Sequence, residues 1–238
     1  MTTSQFQAIA VIPAAGVGAR MGADVPKQYL SCLGKPLMWY VLNQMQQCDW
    51  ISEIFVAISP EDGYWETHIG DQFSKVSCVA GGASRAESVL NALTEARQRH
   101  DSNIWTLVHD AARPCLFSHD LQGIRQALLS EALDGVILAD KIHDTVKLQT
   151  SDGQIASTVD RSKLWRAQTP QVFQLGALQS ALQSADLAAV TDEASAMESE
   201  TANIKLLQGD VRNIKVTQPQ DLALVSLYLT QQSQSKDT

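Results

Sequence analysis

Positive charge is in deficit: 18 Lys and Arg stand against 26 Asp and Glu, a formal net charge of −8 over 238 residues. That balance argues against a nucleic-acid binder, whose affinity rests on neutralising phosphates with a basic surface. Cysteine is sparse and dispersed. Cys32, Cys48, Cys78 and Cys115 form no C-x-x-C pair, so neither a disulfide scaffold nor a thiolate zinc site is expected, and the thiols read as reduced, in a cytoplasmic protein. The histidines form no H-x-H or H-E-x-x-H, which leaves an imidazole-ligated metal without support. Long apolar runs are missing too. The stretch Ala8 to Ala15 is far short of the roughly 20 residues that span a bilayer, and no basic segment precedes it to make an export signal, so no membrane partner is expected. No Ser-His-Asp or Cys-His arrangement stands out as a nucleophilic centre.

What is present is an ordinary globular composition, 45% hydrophobic and 18% charged, with no repeat or low-complexity linker. One domain over residues 1–230 is expected, with the polar residues 231–238 as a flexible tail. Ala8 to Ile12 is a short, continuous, β-branched run, the mark of a strand buried on both faces of a parallel sheet. A helix is expected from Pro36 to Cys48, with Pro36 at its first position. A strand over Glu53 to Ile58 and a short helix capped at Ser59-Pro60 follow, then a strand from Lys75 to Ala80. Ser84-Arg85-Ala86-Glu87 fits the S-x-x-E capping box and opens a helix through Val89, Leu93 and Ala96. A strand at Ile104 to His109, a helix at Ser118 to Ala132 and a strand at Gly135 to Ala139 continue the alternation. Strand and helix in turn imply a three-layer α/β domain with a mostly parallel sheet.

The pattern changes over residues 141–163, where β-rich segments flank Ser151-Asp152-Gly153, an Asp-Gly turn signal, and predict a protruding two-stranded arm. An isolated ribbon is marginal in water, so a second copy of the chain is the economical packing partner, with folding back on its own domain as the alternative. Helices around Gly176 to Ser184 and Asp192 to Glu198, strands around Ile204 to Leu207 and Asn213 to Val216, and a helix from Pro219 to Leu229 complete the chain.

Ligands of open α/β sheets sit at the carboxyl ends of the strands. The first strand runs into Pro13-Ala14-Ala15-Gly16-Val17-Gly18-Ala19-Arg20-Met21, a small-residue loop where backbone N–H groups can approach phosphate oxygens, with Arg20 and Lys27 as nearby cations. Met21 occupies the place of the third glycine of G-x-G-x-x-G, and no Gly-Lys-Ser/Thr follows, so dehydrogenases and P-loop enzymes recede. A tight turn with solvated cations is the plain alternative. The third strand ends in Gly81-Gly82, with Ser88 one turn into the next helix, where a flat base could lie on backbone. The fourth ends in His109-Asp110-Ala111-Ala112-Arg113-Pro114, which sets a carboxylate where a metal–triphosphate would lie, or else one paired locally with Arg113. Thr145, Arg161, Thr169 and Lys215 are the residue types an anionic-substrate clamp needs.

These motifs, together with Pro26-Lys27-Gln28-Tyr29, Arg85, Asp144-Thr145-Val146-Lys147, Gln168-Thr169-Pro170-Gln171 and Asn213-Ile214-Lys215-Val216-Thr217, closely resemble the 2-C-methyl-D-erythritol 4-phosphate cytidylyltransferase family, in order and over nearly the whole chain. The resemblance implies a Rossmann-like nucleotidyltransferase domain, a homodimer with exchanged β-arms, and transfer of CMP from CTP to methylerythritol phosphate with a divalent metal, Mg²⁺. It implies that Arg20 and Lys27 stabilise the transition state, with Arg161 and Lys215 also at the reacting phosphates. Ala14, Ala15, Gly16, Gly82, Ser88 and Asp110 would hold the nucleotide, Asp110 on its metal or ribose side. Thr145, Arg161, Thr169, Lys215 and Arg113 would hold the acceptor, with Thr145 and Arg161 reaching into the partner's site. Ala83-Ser84 departs from the family pattern, in which this position can be acidic or polar. The rival readings are a cytidylyltransferase for another polyol phosphate, such as ribitol 5-phosphate, and a nucleotide-binding protein without turnover.

Overall fold

The computed structural model describes residues 6–16, 25–198 and 203–234. Arg20, with Val17, Gly18 and Met21, lies outside the described residues. The elements run β1 (Ala8–Pro13), β2 (Ser31–Cys32), β3 (Lys35–Pro36), α1 (Leu37–Gln46), β4 (Ile51–Ile58), α2 (Trp65–His68), β5 (Val76–Ala80), α3 (Arg85–Ala96), β6 (Trp105–Val108), α4 (Ser118–Ser130), β7 (Gly135–Lys141), β8 (Val146–Gln149), β9 (Ile155–Val159), β10 (Trp165–Gln174), α5 (Leu175–Ser184), α6 (Glu193–Met197), β11 (Ile204–Gln208) and α7 (Asp221–Gln234). Among them none is a helix long and apolar enough to cross a membrane.

A seven-stranded sheet in the order β11-β7-β10-β6-β1-β4-β5 forms the middle layer. β1 pairs in parallel with β4 on one side and β6 on the other, and β10 alone runs antiparallel, between β6 and β7. Along β1 the pleat sends Ala8, Ala10 and Ile12 into one core and Ile9 and Val11 into the other, which is why the run is apolar without alternation. α1 and α4 cover the first face with Met38, Val41, Leu42, Leu121 and Ile124. α3, α5 and α6 cover the second with Val89, Leu93, Leu178, Leu182 and Met197. A third cluster, including Cys32, Leu37, Cys115, Val216, Val225 and Leu229, seats α7 against the β2–β3 hairpin. Each large side chain fully buried in this way contributes about 1.5–3 kcal/mol.

Five expectations change. β10 was not foreseen as a strand; Pro170 interrupts it, and the ladder with β7 shifts register between Ala167 and Gln171, which is how the sheet accommodates a residue without an N–H. The short helix is not capped at Ser59 but farther along. The Asp62 carboxylate accepts from the N–H of Tyr64 and of Trp65, both at 2.8 Å. Asn213 to Val216 is no strand: it is irregular backbone tied to the loop after β6 by Val216 N–H to Ala112 O at 2.9 Å. The last helix continues to Gln234, past the expected end at Leu229. Pro36, for its part, precedes α1 rather than opening it.

The arm is present as the β8–β9 hairpin, a sheet of its own, with Val146 opposite Val159 and Gly153 at φ 86° in the turn. Leu148 and Ile155 on it are 56% and 70% exposed, apolar surface that one copy of the chain leaves in solvent.

Candidate active site

The chain leaves β1 for β4 and β5 on one side and returns to β6 on the other, so the sheet has its topological switch point at β1. A cleft of about 440 Å³ opens there, at the carboxyl ends of β1, β5 and β6. Of the residues expected in a site, Ala14, Ala15, Gly16, Lys27, Gly82, Ser88, Asp110 and Lys215 line it. Thr145 and Arg161 do not: both are exposed on or beside the arm. Thr169 and Arg113 sit behind the lining, bonded to its residues.

Two turns build the nucleotide-sized end. The Gln28 amide donates to Ala14 O at 2.6 Å, and Tyr29 OH donates to Asp62 at 2.9 Å, so the turn Lys27–Tyr29 is pinned against the end of β1 with Lys27 at the cleft. Burial and the neighbouring carboxylate push the Tyr29 hydroxyl well above its usual range, so it is a fixed donor. Across from it, a Cβ on Gly81 would collide with that of Ala15, which makes glycine necessary for the two loops to touch. Ser84 accepts from Glu87 N–H at 3.1 Å, as the S-x-x-E pattern predicts, but Glu87 reaches past the Ser84 N–H to accept from Ala83 N–H at 2.7 Å, so half of the expected capping box forms. The Ser88 hydroxyl donates to Ser84 O at 2.8 Å and accepts from Gly82 N–H at 3.0 Å; it shapes the Gly-Gly turn from below.

The other end is electrostatic. Asp110, 6% exposed, receives Arg85 Nε on one carboxylate oxygen at 3.0 Å, and Lys215 Nζ at 2.9 Å with Arg113 Nε at 3.3 Å on the other. Burial would raise its pKa, but Arg85, then Lys215 and Arg113, hold the carboxyl well below the usual carboxylate range. Arg85 continues into a two-pronged pair with Glu193. Four cations, counting Lys27, therefore stand around two buried carboxylates in a protein that is acidic overall. The excess positive charge suits a polyanion. It does not suit a metal held by Asp110, because both of its oxygens are taken by cations. Among the described residues, no three His, Cys, Asp or Glu side chains come together around a metal-sized position.

Arg85, Glu193, Gln28, Thr217 and His109 carry parts of this site to which sequence reasoning assigned no role. Glu193 follows Asp192, which caps α6 by accepting from Ser195 N–H at 2.9 Å, and so looks like a solvated first-turn acid. Gln28 and Arg85 stood inside quoted motifs, and only their partners, distant in sequence, reveal what they do.

A mostly parallel α/β sheet that gathers lysine and arginine beside a loop of bare backbone at its switch point defines a phosphate-handling protein of the nucleotidyltransferase class. More narrowly, the chain belongs to the 2-C-methyl-D-erythritol 4-phosphate cytidylyltransferase family, whose sequence model matches residues 8–231. It is 43% identical over 226 residues to the 2-C-methyl-D-erythritol 4-phosphate cytidylyltransferase of Aeromonas hydrophila, covering 94% of this chain and 90% of that one. A solved 4-diphosphocytidyl-2C-methyl-D-erythritol synthase superposes with a TM-score of 0.81 at 40% identity, covering 95% of this chain and all (100%) of the other. The Francisella tularensis 2-C-methyl-D-erythritol 4-phosphate cytidylyltransferase superposes with a TM-score of 0.80 at 33% identity, over 93% and 99% of the two chains.

Proposed function

We infer that this chain transfers CMP from CTP to 2-C-methyl-D-erythritol 4-phosphate, giving 4-diphosphocytidyl-2-C-methyl-D-erythritol and pyrophosphate. The observation that carries this reading is the convergence of Arg85, Arg113 and Lys215 on Asp110, across the cleft from Lys27 and the Ala14–Gly16 backbone. An oxygen of the acceptor's phosphate attacks the α-phosphorus of CTP in line. The new P–O bond forms as the bond to the β-phosphate bridge breaks, and pyrophosphate leaves with that electron pair. No protein nucleophile is required; positioning and charge stabilisation supply the rate.

In this reading the N–H groups of Ala15 and Gly16 cradle the triphosphate beside Ala14, whose own N–H is held by Ala57 O at 2.8 Å, and Lys27, with Arg20, meets the charge that builds on it. Gly82 and the turn shaped by Ser88 take the base. Lys215 faces the acceptor phosphate, and Arg113, behind the lining, backs it through Asp110, the common anchor of both. Thr145 and Arg161 come from the arm of a second copy in a homodimer, and the exposed Leu148 and Ile155 are the apolar surface that such a dimer would cover. Mg²⁺ would accompany the triphosphate and offset part of its charge; Asp110, with both oxygens taken by cations, would not hold it. The cytoplasm is the setting, in keeping with four free cysteines.

Pyrophosphate release from CTP with methylerythritol phosphate, with ribitol 5-phosphate and without acceptor tests the reading. Release with methylerythritol phosphate alone is expected. Release with ribitol 5-phosphate alone would keep the mechanism and overturn the acceptor, and no release with either would leave a nucleotide-binding protein without turnover.

A further inference from the structure

His109 is fully buried at the carboxyl end of β6 and has had no role so far. Its Nε2 lies 3.0 Å from the carbonyl oxygen of Arg113, which can only accept, so the ring proton is on Nε2. Nδ1 is then an acceptor, and the Thr169 hydroxyl lies 2.9 Å from it. Thr169 has one hydroxyl hydrogen and donates it as a hydrogen bond to the imidazole. Its oxygen is left to accept from the N–H of Asp110 at 3.1 Å. Burial lowers the pKa of the ring to about 4, so this neutral arrangement is the one present near pH 7. Asn213, also fully buried, braces the same corner: its side-chain amide donates to Thr169 O at 2.7 Å, and its carbonyl accepts from Arg113 at 2.8 Å.

We propose that His109 is a positioning residue: by accepting a hydrogen bond from the Thr169 hydroxyl it turns that oxygen onto the Asp110 N–H, and so sets the carboxylate on which Arg85, Arg113 and Lys215 converge. This role rests on the reading of that cluster as the acceptor side of a cytidylyltransferase. It also changes what Thr169 does. With its hydroxyl hydrogen engaged by the imidazole and its oxygen by a backbone N–H, Thr169 acts on the acceptor through Asp110 and not by donating to it.

The test combines Thr169→Val, which keeps shape and removes the hydroxyl, Thr169→Ser, which restores it, and His109→Phe, alone and with Thr169→Val. Thr169→Val leaves the Asp110 N–H buried without a partner, and we expect about a tenfold loss in kcat/KM for methylerythritol phosphate, with the KM for CTP within about threefold. Thr169→Ser should recover most of the loss, and the double variant should be no worse than its weaker parent, because the two residues act in one chain. A merely structural role would instead lower the thermal midpoint and raise both KM values together. Wild-type kinetics in Thr169→Val, or losses that multiply in the double variant, would overturn the proposal. An independent reading comes from ¹⁵N NMR of the ring in the full chain. The proton should sit on Nε2, with the Nδ1 resonance moving in Thr169→Val; a proton on Nδ1 would end the proposal whatever the activity. Should the wild-type chain release no pyrophosphate, the transferase reading fails separately, and the clamp stands or falls on the ring tautomer.

Discussion

Arg85 and Glu193 meet in a two-pronged ion pair, Nη1 to Oε1 at 2.6 Å and Nη2 to Oε2 at 3.0 Å, that ties the first turn of α3 to the first turn of α6. Their surroundings are unequal: the Glu193 side chain is 1% exposed and that of Arg85 28%. Breaking the pair from either end should therefore not cost the same. Arg85→Met leaves a carboxylate buried without its cation, and we expect a loss of about 3–5 kcal/mol. Glu193→Gln leaves a guanidinium that still has Asp110 and reaches water, and about 1–2 kcal/mol should be lost. Urea unfolding of the two variants measures the difference, and equal losses would contradict the asymmetry.

The buried imidazole of His109 makes a pH prediction with a definite sign. Its folded pKa of about 4 lies below the ordinary value of 6.5, so between those limits the unfolded chain holds the proton and the folded chain does not. Stability must fall as pH is lowered through that window, by roughly 3 kcal/mol in all, and stay level above it. Asp110 does not blur the result. Its folded pKa is depressed, so its contribution begins to fade only near the ordinary carboxylate pKa of about 4 and below. Chemical unfolding of wild type and His109→Gln from pH 7.5 to 4.5 should give curves that converge on acidification. Parallel curves would mean that the ring titrates normally in the folded protein.

How far the fold was legible depends on whether the cause of each feature was local. Ala8 to Ile12 could be read because burial on both faces demands an unbroken apolar run, and the Ser84 cap because its bond to Glu87 N–H closes within four residues. β10 could not. Its middle is Gln168-Thr169-Pro170-Gln171, polar and interrupted by proline, and it lies in the sheet only because β6 and β7 flank it and the register shift spares the proline. Asn213 to Val216 failed in the opposite direction. Its alternation of side chains reflects packing of Val216 under α7, which mimics a strand without forming one. In the site, Asp110 was legible as a carboxylate at the end of a strand and Lys27 as a cation beside the first loop, and Lys215 by its residue type although the strand expected around it is absent, whereas Glu193 and His109 act through partners 108 and 60 residues away.

Lys27 should matter far more to turnover than to folding. It lines the cleft, and the turn that carries it is held independently, by Gln28 on Ala14 O and by Tyr29 on Asp62. Lys27→Ala removes a charge that strengthens its hold as negative charge builds in the transition state, so kcat should fall by about 10²–10³ with the thermal midpoint within a few degrees of wild type. Gln28→Leu keeps the lysine but cuts its tether, and a smaller fall, of about tenfold, is expected. A Gln28→Leu loss as large as that of Lys27→Ala would mean that the tether itself belongs to the chemistry.

Arg161 lies on an exposed turn just beyond the arm and does not line the cleft of its own copy, so the acceptor role proposed for it requires a second copy of the chain. Mixing two inactive variants makes this countable. When Lys27→Ala and Arg161→Ala chains are unfolded, combined in equal amounts and refolded together, about half of the dimers are mixed. If each site takes Lys27 from one copy and Arg161 from its partner, a mixed dimer holds one intact site and one doubly damaged site, and the mixture should recover about one quarter of the wild-type rate. If both residues serve the same copy, every site in every dimer carries a lesion and nothing is regained. Recovery near one quarter after co-refolding is the expected result; a rate at the level of the parents would place Arg161 outside its partner's site.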